Sequence, residues 1–509
     1  MWLASPDPMN DQDQRLDRGV LAVALVVVLG AVMSILDITV VNVAIRTLAQ
    51  DFSTDLATIQ WVVTGYTLAL AAVIPLTGWA ADRFGTKRLY VVSIGLFVAG
   101  SALASAAWSA ESLIAFRVLQ GLGGGMILPA GMTILTRAAG ADRIGRVMAI
   151  IGVPILLGPV LGPILGGWLV ESASWRWIFL INVPIGAVAL LLSVRVLPVD
   201  EPQPGHRLDW LGLGLLSPGL ALLIYGLAES GSSGGFGSGK VLLATLTGAT
   251  LLIGFAVQSL RSEDPLIDLG LFANRTFSIA SGTMILMAVS VFGGMLLVPL
   301  YLQAVRGESA FDTGLLLAPQ GLGAMLVVPL AGRLSDRTGV GRIVPFGLVL
   351  AAFSFFSLTA LTTDTPYSVL CAILFLQGMG MGAALMPLFS GAMQTLRRST
   401  VARASTVLNI IQQVGASIGT AVMAVLLTQA IASRLPAGAV GAGFDAEIPE
   451  GARERVAPIL ADSFAETFWW AFALVVVALV ASFFLPKHRP EPVHDPDDDA
   501  PAAPALIPH

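Results

Sequence analysis

The chain of 509 residues carries 28 Lys and Arg against 33 Asp and Glu, a formal net charge of -5, with 55% hydrophobic and only 12% charged residues. An average soluble domain is about 25% charged, so the composition excludes water as the main solvent. Nothing in the slight excess of acid points to nucleic-acid binding, and no such partner is expected.

Apolar runs of about 20 residues, enough to cross a hydrocarbon core of about 30 Å, recur along the whole chain. Residues 1–18 are polar and acidic and predict a tail. Six spans follow within 19–197, at 19–46, 56–80, 89–108, 111–134, 147–170 and 177–197. A linker at 198–208 leads to two further spans, 209–229 and 241–260, and a second linker at 261–275 to six more. These lie at 276–303, 312–332, 343–362, 367–391, 404–431 and 466–485, leaving a Pro- and Asp-rich tail at 486–509 that is expected to be disordered. The pattern predicts an all-α, multi-pass membrane protein of fourteen helices, arranged six plus two plus six.

An even number of spans puts both termini on one side. Of the 28 Lys and Arg, 20 fall in segments on that side and seven on the other, with Arg117 alone inside a span. By the positive-inside rule both termini are expected to be cytoplasmic, and the membrane the plasma (inner) membrane. The first apolar run is too long for a signal-peptide core and lacks a cleavage site, so it is expected to stay in place.

The two sets of six spans are repeats. Pro75-Leu-Thr-Gly78-Trp-Ala-Ala-Asp82-Arg83-Phe-Gly85 returns as Pro329-Leu-Ala-Gly332-Arg-Leu-Ser-Asp336-Arg337-Thr-Gly339, 254 residues later. Leu119-Gln120-Gly121 returns as Leu376-Gln377-Gly378, and Gly158/Gly162 as Gly415/Gly419, both 257 residues later. Secondary transporters are built from such repeats, with the substrate site near the membrane midplane between them.

Symmetry does not account for the charges. At these offsets Asp37 aligns with Val291 and Arg117 with Leu374, so the first repeat alone carries ionisable groups at depth, where they are costly unless paired or hydrated. At 1.5 Å per residue the two lie within about 5 Å of the same depth, which allows one shared cavity. One outcome is a structural ion pair tying spans one and four together. The other is proton coupling, with Asp37 as the carrier because a guanidinium keeps its proton. A movement that alters their separation would bind and release a proton, and a cationic substrate would compete for the same carboxylate.

The repeated Gly-x-x-x-Asp-Arg-x-Gly falls in turns on the basic side. Gly78, Asp82, Arg83, Gly85 and Arg88, with Gly332, Asp336, Arg337 and Gly339, are candidate latch residues, since glycine permits close approach and the charges can engage a neighbouring helix. Span five carries Gly152, Pro154, Gly158, Pro159, Gly162, Pro163 and Gly166. Its glycines at every fourth residue form a smooth ridge for close packing, while the prolines bend the helix.

These motifs resemble those of the major facilitator superfamily. Gly78 to Arg88 is similar to motif A, Arg117 with Gln120-Gly121 to motif B, and Gly152 to Gly167 to motif C, the antiporter motif. Leu36-Asp37-Ile-Thr39-Val-Val-Asn42-Val-Ala44 and Ser174-Trp175-Arg176-Trp177-Ile-Phe179-Leu-Ile-Asn182-Val-Pro184 resemble segments of its fourteen-helix drug:proton antiporter family. Ala80, Thr86 and Arg46 depart from the usual residues of those motifs. The resemblance implies two pseudo-symmetric six-helix bundles and export of hydrophobic, often cationic, drug-like compounds in exchange for protons by alternating access. The same scaffold would equally serve export of one endogenous compound, such as a lipid or siderophore.

Polar residues within spans are candidate substrate handles: Asn42, Gln60, Tyr66, and the one-face set Asn409, Gln412 and Gln413, with Phe292 and Met295 as adaptable apolar surface. Interhelical packing and hydrogen bonding explain the same residues. Gly234-Gly-Phe-Gly-Ser-Gly239-Lys240-Val241 mimics a phosphate loop but has Val241 where Ser or Thr would hold magnesium. ATP is therefore not expected, and the proton gradient is the expected energy source without a cofactor. His206, His488, His494 and His509 all lie outside the spans, which argues against a buried metal or haem site, and the lone Cys371 cannot form an intrachain disulfide. The expected partners are small hydrophobic molecules, protons and the lipid bilayer. A membrane enzyme or a channel fits neither the repeat nor the absence of catalytic clusters.

Overall fold

The structure is a computed structural model in which residues 18–54, 56–139, 152, 158, 161–162, 164–170, 172–200, 208–232, 237–262, 265–396, 400–434 and 450–487 are described. Among these residues it is helical throughout, without a strand. Twelve described helices are long and apolar enough to cross a membrane, and one bent pair makes a further span. Most of the predicted span 147–170 lies outside the described residues.

The first group comprises α1 (Arg18–Asp51), α2 (Leu56–Val73), α3 (Leu76–Phe84), α4 (Thr86–Ser105), α5 (Ala110–Ala139), α6 (Arg176–Leu180) and α7 (Asn182–Val196). The predicted second span is thus two helices, meeting at 55°. Pro75 explains the break, because it donates no N–H and crowds the helical conformation of the residue before it. The predicted sixth span also divides, at Ile181, where Pro184 leaves the Leu180 carbonyl without its usual helical donor.

The inserted pair, α8 (Trp210–Ser232) and α9 (Gly239–Ser259), packs on itself through Gly248, whose ideal Cβ would stand 2.5 Å from Leu223 N. A single-turn-type helix over Leu269–Ala273 then leads to the second group. This holds α10 (Arg275–Ala304), α11 (Ala310–Thr338), α12 (Val340–Leu358), α13 (Tyr367–Gln394), α14 (Val401–Ala432) and α15 (Glu450–Ser482). Asn274 starts α10 by accepting from the Thr276 and Phe277 amides at 3.0 and 3.1 Å, a side-chain cap on otherwise orphan donors. The last helix begins well before its apolar run, because hydropathy marks the membrane while a helix ends only where its backbone bonds do.

Packing reproduces the sequence repeat. Gly123 abuts the backbone of Phe97 and Ser93 in the first group, and Gly380 that of Ala351 and Gly347 in the second. Gly121 sits on Tyr66 as Gly378 sits on Gln320. The turn glycines match as well: Gly85 has φ +86° and Gly339 φ +85°, a backbone region open in practice to glycine alone. These two turns define the turn end of the molecule. Helix α8 lies against both α2 and α14, with Tyr225 stacked on Trp61 at 5.8 Å, so the insert touches both groups.

Candidate functional site

Four helices converge on one carboxylate. Helix α1 supplies Asp37, α5 supplies Arg117 and Gln120, α2 supplies Tyr66, and Asn182 opens α7. Arg117 Nη1 donates to Asp37 Oδ2 at 2.5 Å and to Gln120 Oε1 at 2.6 Å, while its Nε donates to the Val62 carbonyl at 3.1 Å. Gln120 Nε2 and Asn182 Nδ2 both donate to Asp37 Oδ1, at 2.8 and 3.0 Å. The guanidinium lies 4.0 Å above the Tyr66 ring. Its Nη2 has no hydrogen-bond partner among the described residues.

Every member of this network is sealed from solvent: Asp37 is 1% exposed, Asn182 2%, and Arg117, Gln120 and Tyr66 are 0%. An unpaired charge at this depth would cost several kcal/mol, and opposite charge with three further donors and acceptors is what offsets it. Close helix approach makes the burial possible. The ideal Cβ of Gly100 would stand 2.7 Å from Gln120 Cα, and that of Gly124 2.7 Å from the Tyr66 hydroxyl.

The glycine ridge of span five bears on the helix that carries Asp37. A Cβ at Gly158 would collide with Ile35, one at Gly162 with Thr39, and one at Gly166 would stand 3.0 Å from the Val40 carbonyl. Thr39 also donates to the Gly158 carbonyl at 3.2 Å. Pro154, Pro159 and Pro163 lie outside the described residues. At its turn-end start, Gly152 faces Met386 and Val328 of the second group.

The candidate latch motif of the first group reaches across to the second. Asp82 is buried and pairs with Arg137 and with Arg403, each at 3.7 Å. Arg403 belongs to α14, and a Cβ on Gly78 would stand 3.6 Å from its Cα and 3.3 Å from Thr406 Oγ1. Ser405 donates to the Pro129 carbonyl at 3.2 Å along the same seam. Asp200 completes the cluster by accepting from the Thr86 amide at 2.7 Å, its hydroxyl at 2.8 Å, and Arg137 at 3.2 Å. Lys87 reaches back from this turn to the Leu197 carbonyl at 2.7 Å. Arg83 and Arg88 are exposed. In the second group Gly332 is buried, Arg337 is exposed, and the side chain of Asp336 lies outside the described residues.

The candidate substrate residues differ in burial and in partners. Tyr66 underlies Arg117, Gln60 is exposed, and Phe292 and Met295 are half-buried. Asn409 donates to the Ser405 carbonyl at 2.8 Å, whereas Gln412 and Gln413 are half-buried. The side chain of Asn42 lies outside the described residues. Three contributors were missed by sequence reasoning. Gln120 and Asn182 stand inside quoted motifs and are polar residues in apolar runs, a usable signal; Asp200, in the linker, carries none.

Comparison with known proteins agrees with this architecture. Residues 27–420 match the family model described as Major Facilitator Superfamily. The chain is 45% identical over 494 residues to the Multidrug resistance protein B homolog of Mycobacterium tuberculosis (strain ATCC 25618 / H37Rv), covering 93% of this chain and 92% of that one. It is 31% identical over 402 residues to the Multidrug export protein EmrB of Escherichia coli (strain K12), covering 79% and 78%. A solved structure of a double Trp mutant of XylE aligns with TM-score 0.62 at 15% identity, over 93% of this chain and 97% of that one, a likeness of fold alone. The chain therefore belongs to the Major Facilitator Superfamily, as a membrane transporter related to the EmrB-type multidrug export proteins.

Proposed function

We propose that the chain is a proton-driven exporter of hydrophobic, often cationic, drug-like compounds, working by alternating access in the plasma membrane. In this reading it has fourteen spans, both termini are cytoplasmic, and the turn end faces the cytoplasm. The observation that carries it is the Asp37–Arg117 pair, fully buried and confined to one of two repeated halves. A purely architectural device would be expected in both halves, whereas a proton site is needed only once.

The arrangement supports a cycle. With the seam at the turn end closed through Gly78, Asp82 and Arg403, the carboxylate accepts hydrogen bonds from Arg117 and two amides. A proton from outside neutralises Asp37 and weakens these bonds, freeing α1 to move along the span-five ridge as the turn end opens. A cationic substrate taken from the cytoplasmic side then competes for the carboxylate and drives the proton off inward. Export of drugs rather than of one endogenous lipid or siderophore is favoured by the multidrug names of both relatives.

The test is transport in proteoliposomes of a panel of lipophilic dyes and of lipids, with and without an imposed proton gradient. Gradient-dependent movement of several unrelated dyes is the expected result. Movement of a single compound class would favour the endogenous substrate, and indifference to the gradient would remove proton exchange.

A further inference from the structure

The cycle above gives Asn182 no role beyond being one of the two amides on the carboxylate. It is the first residue of α7, directly after the break at Ile181, and is 2% exposed. Its Nδ2 donates to Asp37 Oδ1 at 3.0 Å and to Ser101 Oγ at 3.1 Å, and Ser101 in turn donates to the Phe179 carbonyl at 2.8 Å. Because Ser101 gives its hydrogen to Phe179, it can only accept from Asn182, which fixes the amide with its N–H groups toward Asp37.

The other end of α7 meets the latch. The helix runs to Val196, the next carbonyl, Leu197, accepts from Lys87, and Asp200 holds Thr86 and Arg137. One unbroken helix therefore has a hydrogen-bond donor on the carboxylate at its start, and four residues beyond its end at Val196 the chain places Asp200 on the latch turn.

The titratable and charged groups facing Asp37 from the neighbouring described helices are Arg117 and Tyr66; Gln120 and Asn182 are neutral. Arg117 has donors only. A protonated Asp37 accepts hydrogen bonds less strongly and must find an acceptor for its own O–H. Rotation of the Asn182 amide supplies one, its Oδ1, while withdrawing the N–H that had been donated.

We infer that Asn182 is a positioning residue that senses the charge of Asp37 and, through α7, conveys it to the Asp200–Arg137–Asp82 latch. This rests on the proton-exchange reading. Protonation turns the amide, exchanges the N–H it gave Asp37 for an O–H accepted from it, breaks its bond to Ser101, and through this shift at the start of α7 loosens the grip of Asp200 on the turn.

The experiment uses the full chain in lipid nanodiscs with Cys371→Ser and Ser405→Cys. Ser405 is fully buried in the seam between α5 and α14, so a thiol reagent labels the new cysteine when the turn end opens. Labelling rate is followed across a pH series. The parent is expected to label faster as pH falls, and Asp37→Asn is expected to abolish that dependence. Asn182→Ala should shrink the acid response about tenfold, the equilibrium weight of one hydrogen bond to a charged group, and should have no further effect in the Asp37→Asn background. Ser101→Ala, which keeps Asn182 and removes its second acceptor, should move the response in the same direction and keeps the test open should Asn182→Ala fold poorly. An unchanged pH response in both variants overturns the inference, as does an equal effect of Asn182→Ala with and without Asp37. A parent with no pH response, or an Asp37→Asn protein that retains one, overturns the proton-exchange reading and the role of Asn182 with it.

Discussion

Neutralising Asp82 should open the turn end by a small, calculable factor. Asp82→Asn keeps the shape and loses two described ion pairs, to Arg137 and to Arg403, both at 3.7 Å. Only the second joins the two halves, so only it is broken on opening and only it biases the equilibrium. With Arg403 19% and Asp82 7% exposed, solvent and salt screen the pair, and it contributes about 0.5–1 kcal/mol to the closed state. That corresponds to a roughly two- to fivefold rise in the open population. Labelling of Ser405→Cys in a Cys371→Ser background measures it, and Arg403→Ala should give a rise of the same size. Arg137→Ala should do less, since Asp82 and Asp200 both lie on its own side of the seam. If Arg137→Ala opens the turn end more than Arg403→Ala does, the cross-seam pair is not what holds the halves together.

Three other perturbations follow from the same contacts. Arg117→Ala leaves a buried carboxylate without its cation and should cost about 3–5 kcal/mol; thermal unfolding in detergent should show this loss, and show part of it recovered when Asp37→Asn is added. Gly158→Leu and Gly162→Leu press a side chain into Ile35 and Thr39 and should slow turnover in liposomes while substrate binding persists, whereas Leu161→Ala, at a residue 39% exposed, should leave both near normal. Gly85→Ala, at φ +86° with Asp200 Oδ1 3.1 Å from the new Cβ, should destabilise by about 1–3 kcal/mol, visible as a lowered unfolding temperature.

Much of this was legible before the coordinates. Asp37 and Arg117 stand out because a charge in an apolar run violates the local solvent preference, and their repeat partners Val291 and Leu374 mark them as unneeded for symmetry. Their neighbours were harder to see. Gln120, Asn182 and Ser101 are neutral, so they perturb hydropathy little, and only three-dimensional convergence shows that two of them share one carboxylate oxygen.

Asp200 was invisible for a different reason. It lies in a linker among ordinary solvent-facing residues, and its role comes from the chain returning to the Thr86 amide. Tyr66 shows the limit of assigning roles by residue type: an aromatic with a hydroxyl suits a substrate cavity, but the guanidinium stacked above it explains its burial. The break after Val73 was readable in Pro75, whereas the early start of α15 at Glu450 was not, because polar residues outside the membrane continue a helix without any apolar signal.

The most direct measurement is proton release on substrate binding. A lipophilic cation is added to purified protein in weakly buffered solution across a pH series, and the protons freed are counted. The expected result is acidification by the unaltered chain wherever Asp37 begins protonated, and none by Asp37→Asn that still binds the cation. Equal release from the two proteins, or binding to the unaltered chain without release at any pH, would contradict competition at Asp37.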